Sequence, residues 1–560
     1  MTKTKLIFAA ALAFFVSCAN DDTTNKQSEQ EPGTEGLTSF VEEDQATRTT
    51  GEYDGSGLNF YWTAGDRLWV HNGTLIQDAR NNINTELVAT TVPGGVQRAA
   101  KAKFWFSGTY TASSYPVRYT GKNGAKDKVT IKASQTQTVP NDASHIGEDG
   151  DCGVATATKP VGGGQYHFTL DHKAAYATFL PYNAEGEISG AKITKIKVTA
   201  NQAIAGTFDF DDSGLKLASR PTAAPANQTI ELDLSTMKFG VPKAVDIAKN
   251  AATMVVAPGT YATLKVEYTL YDADTHVTGT VTRNYSNVTF TAGLNKKVSG
   301  DLGIPVYENK YYLWDAQHDA WYGHYDSQPT YDGAPAGEHY PKSETADPDR
   351  WYNSAITPGS ITAASHSCKD CPNINLTSWY VMKGNPHWDE QTPWSVLGHL
   401  YVGGVWLKKA QKIADDEGTN LAAMQTGFPD PNTHVMTDWR MKESDDFPTY
   451  YTTDEPSSSR TGFYNPTLKP ISALASTADY FYLPAAGCFS GSPMGGVMKA
   501  TFIAGMGTYW LSNGNYYGPL SSVTSSSTAP ALVFRKTGGI WIQNNTVAQC
   551  GFYVEPQLFK

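Results

Sequence analysis

Charged side chains are scarce in this 560-residue sequence, at 18% of the total, and basic ones are scarcer than acidic ones, 44 against 55. The resulting net charge of -11 repels a phosphate backbone, and no basic patch offsets it, so nucleic acid is excluded as an expected partner. The apolar run from Leu6 to Val16 is eleven residues long, against the roughly 20 that a membrane-spanning helix needs. Catalytic signatures are missing as well. There is no Gly-x-Ser-x-Gly elbow, His-Glu-x-x-His pair, phosphate loop or dinucleotide fingerprint, and Gly487-Cys-Phe-Ser490-Gly491 is out of frame for an elbow. No catalytic residue, metal site or cofactor is therefore read, and an enzyme is unsupported, although paired glycosidase carboxylates leave no local spacing to find. No repeat of about 40 residues is visible, which argues against a propeller. What the chain has instead is 50 Gly, 30 Pro, 13 Trp, 31 Tyr and 22 Phe, a composition that favours several β domains over a helical bundle. At about 150 residues per domain, three or four are expected.

The N-terminus has the three-part layout of a secretion signal: Lys3 and Lys5, the apolar run, then Ser17-Cys18. Phe15-Val16-Ser17-Cys18 resembles a bacterial lipobox, which implies removal of residues 1–17, acylation of Cys18 and anchorage in the outer membrane. Asp21-Asp22 resembles the surface-export signal of Bacteroidetes lipoproteins. Residues 18–48 carry eight acids against Lys26 and Arg48, too charged to build a core, and read as a solvated leader in which Leu37 to Val41 can form a short strand. Arg48, between Thr-rich flanks, has the setting of an exposed tryptic-type site, with Thr49 as the new N-terminus.

From residue 49 to about 305 the signal is alternation with period two. Leu264, Val266, Tyr268 and Leu270 interleave with Lys265, Glu267 and Thr269, and a return strand from His276 to Asn284 follows the Asp272-Ala-Asp274 turn, which predicts a hairpin. Leu58, Phe60 and Trp62 alternate likewise, as do Ile196 and Val198. Asp209-Phe-Asp211-Asp-Ser213-Gly214 copies the opening of an EF-hand loop, but Arg220 stands where the bidentate Glu belongs, so it reads as a hairpin turn. His71, His145, His167 and His172 share no spacing and read as structural.

Three segments of this region, Asn59-Phe-Tyr-Trp-Thr-Ala-Gly-Asp-Arg-Leu-Trp-Val70, Ile131-Lys-Ala-Ser-Gln-Thr-Gln137 and Phe168-Thr-Leu-Asp-His-Lys-Ala174, resemble the fimbrillin (Mfa-like, type V pilin) family of Bacteroidales. The resemblance covers roughly residues 40–305. It implies two transthyretin-like Greek-key β-sandwiches, 49–160 and 161–305, in a mainly β protein. It also implies cleavage after an Arg at the cell surface, for which Arg48 occupies the matching place, removal of the first strand, and donor-strand exchange with other fimbrillin subunits. A sandwich stripped of a strand exposes unpaired backbone and an apolar furrow that another chain's strand can fill.

After Gly303-Ile-Pro305 the composition turns to Trp, Tyr, His and Gly, marking residues 306–560 as a further α+β domain. Thr392 as cap, Pro393 at the first position, and Leu397, Leu400 and Tyr401 at helical spacing predict a helix there, interrupted at Gly403-Gly404. Short strands are expected at Tyr482–Gly487, Gly507–Ser512, Ala531–Phe534 and Gly551–Val554. These pieces resemble the C-type-lectin-like module of Fibrobacter-type major paralogous and sulfatase-modifying-factor-like proteins, without the Trp-Asn-Asp or Glu-Pro-Asn signatures of calcium-dependent sugar binding.

With Cys18 acylated, five cysteines remain, an odd number in an oxidising compartment. Cys488 with Cys550 is the expected disulfide, since each abuts a strand and lectin-like folds staple their terminal strands. Cys368-Lys-Asp-Cys371 reads as a local loop disulfide rather than half a zinc site. Tyr509, Trp510, Tyr516 and Tyr517, beside a Ser-rich loop from Ser521 to Thr528, are the candidate ligand-stacking surface, although Trp and Tyr in such domains more often fill the core. The leading expectation is a minor, tip-located fimbrial adhesin at the cell surface that binds a host or bacterial glycan or protein. Its groove can accept a strand, while the C-terminal segment is expected to be occupied inside its own domain and unable to donate one. The alternatives are a monomeric surface glycan-binding lipoprotein and an enzyme on the sulfatase-modifying-factor-like fold.

Overall fold

A computed structural model describes residues 33–42, 51–122, 124–355, 362–442, 446–453, 455–457, 459–492, 497–501, 503–514 and 528–560. The protein is mainly β. Its first sheet has nine strands, and the segment expected as a leader supplies one of its inner members. This strand, β1 (Thr38–Glu42), lies between β2 (Ala102–Phe106) and β3 (Tyr166–Phe168). Beyond β3 the sheet continues through Gly153–Thr158, Ser114–Tyr119, Trp69–Asn72 and Thr74–Gln77; beyond β2 it ends at Arg80–Asn81. Phe40, Trp62, Val70, Phe104, Phe106 and Val117 bury their side chains in one cluster beneath it.

The second core is built by a five-stranded and a three-stranded sheet. Two 14-residue strands dominate the larger one, β4 (Gly259–Asp272) and β5 (Val277–Phe290), paired antiparallel from Gly259↔Phe290 to Asp272↔Val277. This is the predicted hairpin, with Leu264, Val266, Tyr268 and Leu270 all buried, as alternation against one covered face requires. The EF-hand-like segment is also a hairpin: Phe210 pairs with Leu215, and the Asp211 carboxylate accepts from Ser213 and faces Lys216 at 2.7 Å. The division expected at residue 160 is displaced. The first sheet runs on to Asp171–His172, whereas Tyr53, Leu58, Phe60, Val129, Ile131 and Ile146, all earlier in the chain, pack into the second core. Alternation marks strands but does not say which sheet a strand joins.

The C-terminal unit combines sheets with helices. Helix α1 (Ile374–Lys383) is capped by the Asn373 side chain, which accepts from the Leu376 N–H. Where a helix was predicted at 392–401, the chain forms the hairpin of β6 (His387–Val396) and β7 (His399–Lys408). Trp394, Val396, Leu400 and Tyr401 are buried on strands covered on both faces, so alternation vanishes and their spacing imitates a helix. Leu397 and Gly398, with φ of 56° and 80°, make the two-residue turn, and Thr392 donates to Asp389 rather than capping a helix. Helix α2 (Ala410–Glu417) follows. A six-stranded sheet completes the unit and includes β8 (Met506–Trp510), β9 (Thr528–Arg535) and β10 (Phe552–Tyr553). Among the described residues no helix is long and apolar enough to cross a membrane.

The tip of the β6–β7 hairpin docks on the second unit. Gly190 N–H donates to Gly398 O at 3.0 Å, Thr275 Oγ1 to Leu400 O at 3.0 Å, and Leu400 is buried in the second unit's core.

Candidate functional site

The leader strand sits in its sheet as a plug sits in a slot. β1 pairs antiparallel with β2, from Thr38↔Phe106 to Glu42↔Ala102, and parallel with β3, from Phe40↔Tyr166 to Glu42↔Phe168. Phe40 is fully buried, stacked on Tyr166 at 4.6 Å and set edge-on to Phe106 at 5.0 Å and Tyr110 at 5.4 Å. Glu42, also buried, accepts from Trp62 Nε1 at 2.6 Å and from the Leu170 N–H at 3.2 Å, so its charge is held by two donors. Taking β1 away leaves β2 and β3 each with an unpaired edge and opens a furrow floored by Phe106, Tyr110 and Tyr166. The expected strand at Leu37–Val41 is thus present, shifted by one residue. Cys18, Arg48 and Thr49 lie outside the described residues.

The C-terminal segment is occupied. Within the six-stranded sheet β10 pairs antiparallel with Tyr311–Tyr312 and parallel with β8 through Tyr509↔Tyr553. Tyr553 donates to Glu308 O at 2.9 Å, and Phe559 is buried against Tyr380, Phe481 and Tyr509.

Two of the candidate ligand-stacking residues face inward. Tyr509 is buried with its hydroxyl donating to Pro484 O at 2.7 Å, and Trp510 is buried, stacked on Phe552 at 4.4 Å with Nε1 donating to Tyr312 O. They lie on a strand with neighbours on both sides, so their rings fill core rather than meet a ligand. Tyr516 and Tyr517 lie outside the described residues, as does most of the Ser-rich loop. Trp379, Trp388 and Trp394 are core too. Among the described residues the large aromatics that face solvent are Tyr451, Tyr322, about half exposed with His318 stacked on it at 3.9 Å, and Tyr325, whose hydroxyl donates to Asp319 at 2.7 Å. Their sequence signal was only the aromatic run at Trp321–His324, which does not distinguish the buried Trp321 from its exposed neighbour.

The five described thiols are free. Cys488 and Cys550 flank the Phe489–Gly551 bridge, and Cys368 and Cys371 lie in the same buried cluster with Cys488. Burial, then the neighbouring Cys488, pushes the Cys550 thiol up to about 12; burial, then Cys371 beside it, pushes Cys368 well above the usual thiol value. Burial raises the Cys488 thiol as well, so in this state Cys368, Cys488 and Cys550 are held as thiols, the poorly nucleophilic form. Of the histidines, His71, His145 and His172 each pair with one aspartate, Asp212, Asp149 and Asp151, as structural residues do.

Comparison with solved structures finds weak similarities to proteins of Bacteroides and Parabacteroides species. A "putative cell adhesion protein" of Bacteroides ovatus matches over 47% of this chain and 93% of its own, at 12% identity and a TM-score of 0.27. A fimbrial protein of the same species matches over 92% of this chain and 98% of its own, at 10% identity and a TM-score of 0.22. A fimbrial assembly protein of Parabacteroides distasonis matches over 44% and 98%, at 11% and 0.18. No protein-family model and no curated protein matches. Similarities this weak transfer neither fold nor function, which must be argued from the chain's own geometry.

Proposed function

We propose that this chain is a cell-surface fimbrial subunit of the fimbrillin type, exported as a lipoprotein, which takes the tip position and contacts a glycan or protein through its C-terminal unit. The observation that carries this reading is β1. A strand belonging to the acidic leader, upstream of Arg48, occupies an inner place in the first sheet and buries Phe40 and Glu42 there. Cleavage after Arg48 severs it from the rest of the chain, and the vacated slot accepts a strand from another subunit. The commitment of β10 to its own sheet supports a subunit that accepts without donating this segment. Tyr322 and Tyr325 supply an aromatic surface of the kind on which sugar rings stack.

The test is limited digestion with an arginine-specific protease, followed by titration with a peptide of a fimbrillin C-terminal strand. The expected result is a new N-terminus at Thr49 and peptide binding by the cut chain alone. A chain that resists cleavage at Arg48, or one that is cut and ignores the peptide, overturns the reading. The alternative, a monomeric surface glycan-binding lipoprotein that keeps its leader, draws on the same close fit of β1. It predicts an acylated Cys18 on the full-length mature chain.

A further inference from the structure

Where the β6–β7 hairpin tip meets the end of β4, one atom from each of Asp272, Asp274 and His399 lies within 4.8 Å of the other two. His399 Nδ1 is 3.1 Å from Asp272 Oδ2 and 3.9 Å from Asp274 Oδ2. A tetrahedral ion with bonds of about 2.0–2.2 Å to nitrogen and oxygen sets its ligand atoms about 3.3–3.5 Å apart, and these two separations bracket that edge. The ring is oriented from its far side, where Nε2 faces Thr330 Oγ1 at 3.3 Å, the outer hydrogen bond that a metal-binding imidazole needs to present its other nitrogen. Asp272 is equally fixed: its side chain is fully buried, and Leu400 N–H donates to Oδ2 at 3.0 Å. Asp274, by contrast, is half exposed and gives the site an open side for an incoming ion and its water.

Charge points the same way. Among the described residues the ion pairs of Asp272 and Asp274 go to His399 and to no lysine or arginine. Two carboxylates share one imidazole, so the cluster is net negative whichever protonation state the ring holds, and it sits where burial makes uncompensated charge costly. The geometry points to a divalent transition ion of the zinc class, bound by Asp272 Oδ2, Asp274 Oδ2 and His399 Nδ1 with water completing the shell. Such an ion joins the end of β4 to the start of β7 and so pins the C-terminal unit to the second unit. The inference does not depend on the fimbrial reading.

The test is a calorimetric titration of the metal-stripped full chain with Zn²⁺, paired with thermal unfolding and with the visible absorption of the Co²⁺ form. One site is expected, with a rise in melting temperature and the absorption bands of a four-coordinate Co²⁺ centre. Asp274→Asn, at a half-exposed position, leaves the metal-free unfolding profile unchanged and weakens Zn²⁺ binding on the order of 100-fold; His399→Gln does the same to the affinity. Failure to bind one equivalent, or binding of equal affinity in the Asp274→Asn chain, overturns the assignment.

Discussion

Phe40 ties the leader strand to its sheet through contacts with Phe106, Tyr110 and Tyr166, and it does so from a segment that the fimbrial reading discards. Phe40→Ala should therefore lower the stability of the uncut chain by about 3–5 kcal/mol, yet leave the chain cut after Arg48 indistinguishable from the cut wild type. Denaturant unfolding before and after digestion reads both values, and a mutant penalty that survives cleavage would show that β1 stays bound. Asp389 makes a second residue-scale case. Its buried carboxylate accepts from Trp406 Nε1 at 3.0 Å, Thr392 Oγ1 at 2.7 Å and the N–H groups of Gln391 and Thr392. Burial works against ionisation, but these donors outweigh it and hold the carboxyl below the usual carboxylate range. A folded value below the unfolded one means stability that is present above the ordinary aspartate pKa of about 3.9 and lost as pH falls through the folded value. Asp389→Asn is expected to cost about 1–3 kcal/mol at neutral pH, with the gap to wild type closing in acid. A gap that widens in acid would mean the sign is wrong.

At the scale of elements, alternation made a strand legible where one face meets water, whereas of the strands buried on both faces β8 and β9 were expected as strands and β6 and β7 as a helix. The β4–β5 hairpin was legible because Lys265, Glu267 and Thr269 point outward between buried Leu264, Val266, Tyr268 and Leu270. β6 and β7 carry no such alternation, and Pro393 looked like a helix start because it sits beside a bulge, where residues 390–392 oppose Gly403 and the ladder does not need its missing N–H. The same blindness hid α1, whose Trp379, Tyr380 and Val381 are buried around much of its girth and leave no clean polar face. Gly403-Gly404, read as a helix interruption, serves close packing instead. Gly403 has φ of 110°, and a Cβ there would stand 2.6 Å from Ala504 O; at Gly404 it would meet the Tyr482 hydroxyl at 2.3 Å. Gly403→Ala should therefore destabilise the chain by more than about 1 kcal/mol, measured by thermal unfolding, whereas an unchanged midpoint would mean the bulge relaxes freely. The candidate site was legible only in part. Leu37–Val41 showed as a strand by its apolar residues, but nothing in them says that it lies between β2 and β3, because partners as distant in the chain as Phe104 and Tyr166 are from Phe40 leave no local trace. Exposure likewise cannot be read from residue type, which is why Tyr509 and Trp510, expected at a surface, are buried.

For the whole molecule, the proposed fimbrial function turns on how many fibre ends the chain can serve. A subunit in the middle of a donor-strand polymer needs both an open slot and a free donor strand. Removal of β1 supplies the first. The second is not supplied by the segment through Phe552–Phe559, because β10 is hydrogen-bonded on both sides and Phe559 is packed among Tyr380, Phe481 and Tyr509, so withdrawing it would unpick the six-stranded sheet. An accepting subunit of this kind binds one neighbour and stops. If the cut chain is added to a polymerising stalk fimbrillin, fibres should become shorter in proportion to the amount added, each carrying the chain at a single end, and immunoelectron microscopy should label that end alone. The peptide of residues 551–560 should not bind a cut stalk fimbrillin. Labels spaced along the shaft, or capture of that peptide by the stalk subunit, would mean that the C-terminal strand leaves its sheet and that the chain is an internal member of the fibre.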